Sequence, residues 1–244
     1  MTKKLKSKEP KRILHLGESL RENSKTILLS IPVFTFGLCY YSMISDKEGL
    51  AGAYGHMGIA FKNYHKHFWK KRFLLEIAYY LFRKAAELGG GKDRPTVLLK
   101  CGQTALELGD KKSAEKNCNE AIAEAKRLKD KYQKAYVSAH LADLIKEKDF
   151  EKAEGMLTNS HEVLNQAIDK NPEALYFQIW ISFVELALGQ LYLSKADKNS
   201  ARVWAEKAHA RVEKYDLKVR KLDVKKLLSK IESTARVFIL AFLS

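Results

Sequence analysis

The sequence predicts an all-α chain, a right-handed solenoid of antiparallel helix pairs preceded by a single membrane-spanning helix. Three observations carry that reading. Long stretches such as 111–151 are built from Ala, Leu, Glu and Lys, the strong helix formers, and no Val/Ile/Thr-rich alternating run stands against them. From residue 50 onward, small and apolar residues recur at a period of roughly 34–40 residues, the spacing of stacked helical hairpins. Residues 26–45 carry no charged side chain. The 244 residues have room for a repeat array with tails, and they contain only 4 prolines.

Residues 1–25 form a basic tail with five more basic than acidic residues. Residues 26–45, TILLSIPVFTFGLCYYSMIS, follow between Lys25 and Asp46. Twenty helical residues reach about 30 Å, enough to cross a hydrocarbon core. Tyr40 and Tyr41 lie toward one end, where amphipathic rings suit an interface, and Pro32 and Gly37 are tolerated in membrane helices. A buried helix of the following domain is the competing reading. A cleaved signal peptide fits less well, because no small-x-small site follows the apolar core closely. Lys3, Lys4, Lys6, Lys8, Lys11, Arg12, Arg21 and Lys25 precede the segment, whereas Lys47 alone follows it before Lys62. Lys/Arg bias then places the amino terminus in the cytoplasm of a single-pass membrane protein; the alternative is a soluble cytoplasmic chain.

The clearest repeat is VLLKCGQTALELGDKKSAEKNCNEAIAEA, residues 97–125. Gly102 and Ala105 share one face of a first helix, Gly109-Asp110 makes the turn, and Ala114, Cys118 and Ala121 recur on a second helix. Small residues at such positions let two helices approach closely. A second unit spans 186–210, where Gly189, Asp197, Ala201 and Ala208 match Gly102, Asp110, Ala114 and Ala121 at a constant offset of 87. A third, residues 135–164, keeps Leu141, Leu144, Asp149, Ala153 and Leu157, with Ser160 in place of the last alanine. A fourth is split, its pieces at 53–61 and 77–88 separated by about eight extra residues. Pro95 and Pro172 stand at breaks between units. The run after Pro172 is long and apolar, but Gln178, Glu185 and Gln190 and the unbroken register argue for burial within the array.

These units resemble the tetratricopeptide (TPR) repeat family, with its Leu-Gly in the first helix, Gly-Asp turn and paired alanines in the second. The resemblance covers residues 51–214. It implies a protein-binding scaffold whose first helices line a concave groove that takes a helical or extended peptide. Carried over by register, the groove positions are Leu99, Lys100, Gln103, Leu106 and Glu107 in the best repeat. In the third they are Ser138, Ala139, Ala142, Ile145 and Lys146, and in the last Phe183, Leu186, Gln190 and Leu193. The Lys/Asn pattern of the family's carboxylate-clamp subclass is absent, and leucines mixed with amides suit the apolar face of a helix.

Residues 215–244 close the chain. Within them 217–234 reads as a capping helix with Leu222, Val224, Leu227, Leu228 and Ile231 on one side, followed by the apolar tail 235–244. That tail is a candidate for self-docking in the groove.

No catalytic signature is present: there is no P-loop, no dinucleotide fingerprint, no H-E-x-x-H and no G-x-S-x-G. An enzyme, a cofactor and a metal site are therefore not expected. Gly89-Gly90-Gly91 reads as a helix stop and linker. Cys39, Cys101 and Cys118 make no disulfide framework, and Cys101 and Cys118 read as small core residues. In NYHKHFWKKRF, Tyr64, Phe68 and Trp69 interleave with Lys62, Lys66, Lys70, Lys71 and Arg72, a mix suited to stacking on bases or to a membrane interface; core aromatics beside solvated lysines are the simpler expectation. The formal charge is +15 and the excess lies toward the two ends, residues 95–170 being balanced. The alternative function is accordingly a TPR-like protein that binds nucleic acid or an acidic partner through its basic ends.

Overall fold

A computed structural model describes residues 9–22 and 26–242; the extreme amino-terminal residues and the last two of the apolar tail lie outside it. The side chains of 234–242, and with them the self-docking expectation for 235–244, also lie outside the described residues. Among the described residues there are eleven helices and no strand. They fall into two compact units, Met1–Leu128 and Lys129–Ser244.

The first unit holds α1 (Glu9–Glu22), α2 (Ile27–Met43), α3 (Lys47–His67), α4 (Arg72–Leu88), α5 (Arg94–Glu107) and α6 (Lys111–Arg127). The second holds α7 (Lys131–Ile145), α8 (Phe150–Lys170), α9 (Leu175–Ser194), α10 (Lys198–Lys214) and α11 (Lys218–Phe242). Within each unit, successive helices pack as antiparallel neighbours.

The turns explain the hairpins. Asp46, Asp110, Asp149 and Asp197 each cap a helix by accepting a hydrogen bond from the backbone N–H three residues on. Each satisfies a donor that the first helical turn leaves unpaired. Gly109 supplies the left-handed backbone just before the cap, with φ of 86°. Ala196 takes the same conformation 87 positions later, at φ of 60°.

The small residues do what their spacing predicts. A Cβ on Gly102 would lie 3.1 Å from the Ala114 carbonyl oxygen and 2.8 Å from Cys118 Sγ. A Cβ on Gly189 would lie 3.3 Å from the Ala201 carbonyl oxygen. The 87-residue register is thus a register of backbone approach. In the third unit Ser160, fully buried where the others have alanine, donates its hydroxyl proton to the Ala135 carbonyl at 2.8 Å. Cys101 and Cys118 are free and buried, and burial pushes their thiols up to about 12 and about 11.

The membrane-spanning helix expected at 26–45 is not there. No helix among the described residues is long and apolar enough to cross a membrane. α2 has 17 residues, or about 26 Å of rise. It is the second helix of an additional hairpin in front of the predicted array. Ser30, Phe34, Gly37 and Tyr41 recur along one face and are buried. The Phe34 ring stacks on His56 of α3 at 5.6 Å, and its edge fills the space a Cβ on Gly17 would need. The Tyr41 ring covers Gly49 in the same way. The single-pass location with a cytoplasmic amino terminus, inferred from that segment, falls with it. The uncharged run of twenty is not an apolar slab; what it carries is a buried stripe of small and aromatic residues. Glu18 of α1 reaches His56 Nε2 at 3.1 Å and ties the first hairpin to α3.

α9, the other long apolar stretch, is buried along most of its length between α8, α10 and α11. On α11, Val224, Leu227 and Ile231 are buried against α9 and α10, and Leu228 partly so, while Leu222 is 62% exposed. Leu222 stands about 200° around the helix from Val224 and cannot share its face.

Candidate functional site

The first helices of the second unit present an aromatic face. Tyr136 and His140 stand one turn apart on α7, and Tyr176, Trp180 and Phe183 follow the same spacing on α9. Tyr136 stacks on Trp180 with centroids 4.6 Å apart and planes 7° from parallel. His140 stacks on Phe183 at 3.8 Å. Tyr176 meets Trp180 edge-on at 5.4 Å and is half exposed, as is Leu175 beside it. From α11 the Arg220 guanidinium sits 5.1 Å above the Phe183 ring, a cation–π contact. Arg220 also lies 4.0 Å from Asp223, yet its Nε is buried without a hydrogen-bond partner among the described residues. Burial raises the Tyr136 phenol above its ordinary pKa, against the pull of Arg220, so it stays protonated and able to donate.

One end of this face opens into a cleft of 390 Å³ lined by Lys146, Gln190, Leu193, Ser194, Asp223, Lys226, Leu227 and Lys230. Lys146 is held there: its Nζ donates to Asp143 at 2.7 Å and to Gln190 Oε1 at 3.2 Å. Lys146, Lys226 and Lys230 stand against Asp223 and the Asp143 carboxylate that pairs with Lys146, which leaves the cleft one positive charge in excess.

Behind the face a buried network fixes α9. Glu185, 1% exposed, accepts two hydrogen bonds from Arg211, at 3.0 and 2.8 Å, and His161 Nε2 lies 3.5 Å away. Arg211 also donates to Gln178 Oε1 at 2.6 Å. Burial alone would raise the Glu185 pKa, but the Arg211 hydrogen bonds and the nearby His161 imidazole outweigh it and hold the carboxyl below its usual range.

The register-derived positions fall into two groups. Leu99, Ala139, Ala142, Ile145, Phe183 and Leu186 are buried. Lys100, Gln103, Ser138, Lys146, Gln190 and Leu193 are half-buried, and Leu106 and Glu107 are exposed, with Glu107 paired to Lys62 at 2.9 Å. Lys146, Gln190 and Leu193 come together in the basic cleft. In the first unit Lys100 lines a separate cleft of 340 Å³ between α3, α4 and α5, floored by Gly55, Ile59, Phe82, Ala85 and Val97. The repeat glycines and alanines at 102, 109, 114, 121, 153, 189, 201 and 208 serve the hairpins already described.

Register reasoning missed Tyr136, His140, Trp180, Tyr176 and Arg220. A signal existed in the i, i+4 aromatic spacings of 132–140 and 176–180. It was hidden because positions were carried over from the best repeat, where Val97 stands in place of Tyr136.

No family model matches the chain, and no curated protein matches it. Among solved structures, BtubC (BKLC) from P. vanneervenii superposes with a TM-score of 0.65 at 16% identity, over 85% of this chain and 84% of that one. A putative kinesin light chain from Podosopora anserina, made of nearly identical TPR-like repeats, superposes at 0.54 with 11% identity, over 84% and 95%. This is a TPR-like helical repeat fold. RapI in its apo form gives 0.62 at 12% identity, over 96% of this chain and 84% of RapI. At such identities the likeness concerns the fold. In front of the repeats read at 51–214, α1 and α2 form one more packed helix pair.

Proposed function

We propose that the chain is a protein-interaction module, and that the face of α7, α9 and α11 docks a segment of a partner protein. The observation that carries this is the pairing of a half-open aromatic surface with an electropositive cleft at its end. Stacked rings offer a rigid apolar platform at small entropic cost, and Arg220 Nε offers a desolvated donor in want of an acceptor. The matching segment is apolar along its middle and acidic at one end, where Lys146, Lys226 and Lys230 would meet its carboxylates. This favours an acidic partner, in keeping with the basic excess of residues 171–244.

Selection of a displayed random-peptide library on the full chain tests it. Selected peptides are expected to combine aromatic or leucine residues with Asp or Glu. Trp180→Ala is expected to weaken them by about 2 kcal/mol, as loss of a central aromatic anchor does. Lys226→Glu should weaken acidic peptides selectively. Peptides that bind both variants as tightly as the parent chain would place the docking surface elsewhere.

A further inference from the structure

The turn between α3 and α4 carries a feature that peptide docking leaves unused. All eight residues of 66–73, KHFWKKRF, are exposed. Phe68, Trp69 and Phe73 remain 54%, 50% and 44% exposed, contrary to the expectation that these aromatics are core. Three large rings in water within six residues form a patch that invites a ligand.

The rings are held in order. Tyr64 stacks on Phe68 at 5.4 Å, and Trp69 meets Phe73 edge-on at 5.9 Å. The backbone beneath them is pinned: the N–H groups of Phe68 and Trp69 both donate to the Tyr64 carbonyl, at 3.0 and 3.2 Å. His65 Nδ1–H donates to the Lys71 carbonyl at 3.0 Å and closes the turn. Around the rings stand Lys66, Lys70 and Lys71, which form no ion pair among the described residues. Arg72 is engaged by Glu76 at 3.0 Å.

We propose that this turn binds single-stranded nucleic acid, with bases stacked on Phe68, Trp69 and Phe73 and phosphates on Lys66, Lys70 and Lys71. Two physical points select this occupant. Lys70 and Lys71 lie in sequence between Trp69 and Phe73, so cations are set among the rings, and a single strand offers phosphates and base faces together. An anionic bilayer would suit rings at the tip with cations set behind them, whereas here Lys70 and Lys71 share the tip with Trp69. A duplex keeps its base faces stacked and offers nothing for the rings to cover. The chain's net charge of +15 supplies the long-range attraction.

Fluorescence anisotropy of the full chain with labelled oligothymidylate, with the matched duplex as competitor, is the test. Vesicles of phosphatidylcholine and phosphatidylserine are assayed in parallel by co-sedimentation. Oligothymidylate should bind in a salt-sensitive manner and the duplex should compete poorly. Trp69→Ala should weaken binding roughly 5- to 100-fold, the loss of one base–aromatic stack. Lys70→Glu with Lys71→Glu should flatten the salt dependence by about 0.7 in log–log slope per lost phosphate contact. Lys148→Glu with Lys152→Glu, the same charge change at two exposed positions beside and within α8, should alter neither quantity by as much. These positions are exposed, and circular dichroism of each variant is to check that its helices are kept. Equal affinity of Trp69→Ala and parent, preference for the duplex, or turn-dependent binding to vesicles without binding to oligothymidylate would each overturn the assignment.

Discussion

Gly102 and Gly155 are both helical glycines, and the structure gives them opposite meanings. At Gly102 a Cβ would meet the Ala114 carbonyl oxygen at 3.1 Å, and backbone cannot step aside as a side-chain tip can. Gly102→Val should therefore destabilise the first unit by about 1–3 kcal/mol. Gly155 lies exposed within α8 with nothing near a prospective Cβ. Gly155→Ala should stabilise by about 1 kcal/mol through helix propensity alone. Urea unfolding of the two variants checks both signs. Glu185 is the buried charge whose pairing matters most. Because its folded pKa is depressed, its contribution is complete above the ordinary carboxylate range and is lost as pH falls through the lower folded value. Glu185→Gln should cost about 3–5 kcal/mol at neutral pH, since Arg211 is left without its counter-charge. The variant should also lose part of the acid-side fall in stability. A melting-temperature series from neutral to acid pH shows whether the two curves converge as predicted.

Single elements show what could be read from residues and what could not. The α5–α6 and α9–α10 hairpins were legible because close approach demands small residues at fixed positions, and Gly102/Gly189 and Ala114/Ala201 repeat that demand. α2 was misread because absence of charge says nothing about which face is buried. The decisive signs were the stripe Ser30, Phe34, Gly37, Tyr41 and its partners Gly17 and Gly49, which lie on other helices. The α3–α4 turn was misread for the converse reason: aromatic composition suggests burial, and only the turn's geometry leaves Phe68 and Trp69 outside. If α2 belongs to the hairpin stack, removing residues 1–46 should uncover Met57, Ala60 and Leu81, which pack around Phe34. The truncated chain should then melt lower and expose amides of α3 to hydrogen exchange, measured by mass spectrometry. Unchanged protection of α3 would show that the first hairpin is dispensable.

Over the whole molecule, charge and apolar surface are distributed in a way that the fold alone does not require. A repeat array needs hairpins and a cap, and α11 provides the cap through Val224, Leu227 and Ile231. It does not need a basic cleft beside stacked rings on α7 and α9, and that excess is the basis for assigning a partner. Hydrogen exchange of the full chain with and without a selected acidic peptide measures this most directly. Binding should slow exchange in α7, α9 and the first turns of α11. Protection confined to α8 and α10, or to the first unit, would contradict the docking face.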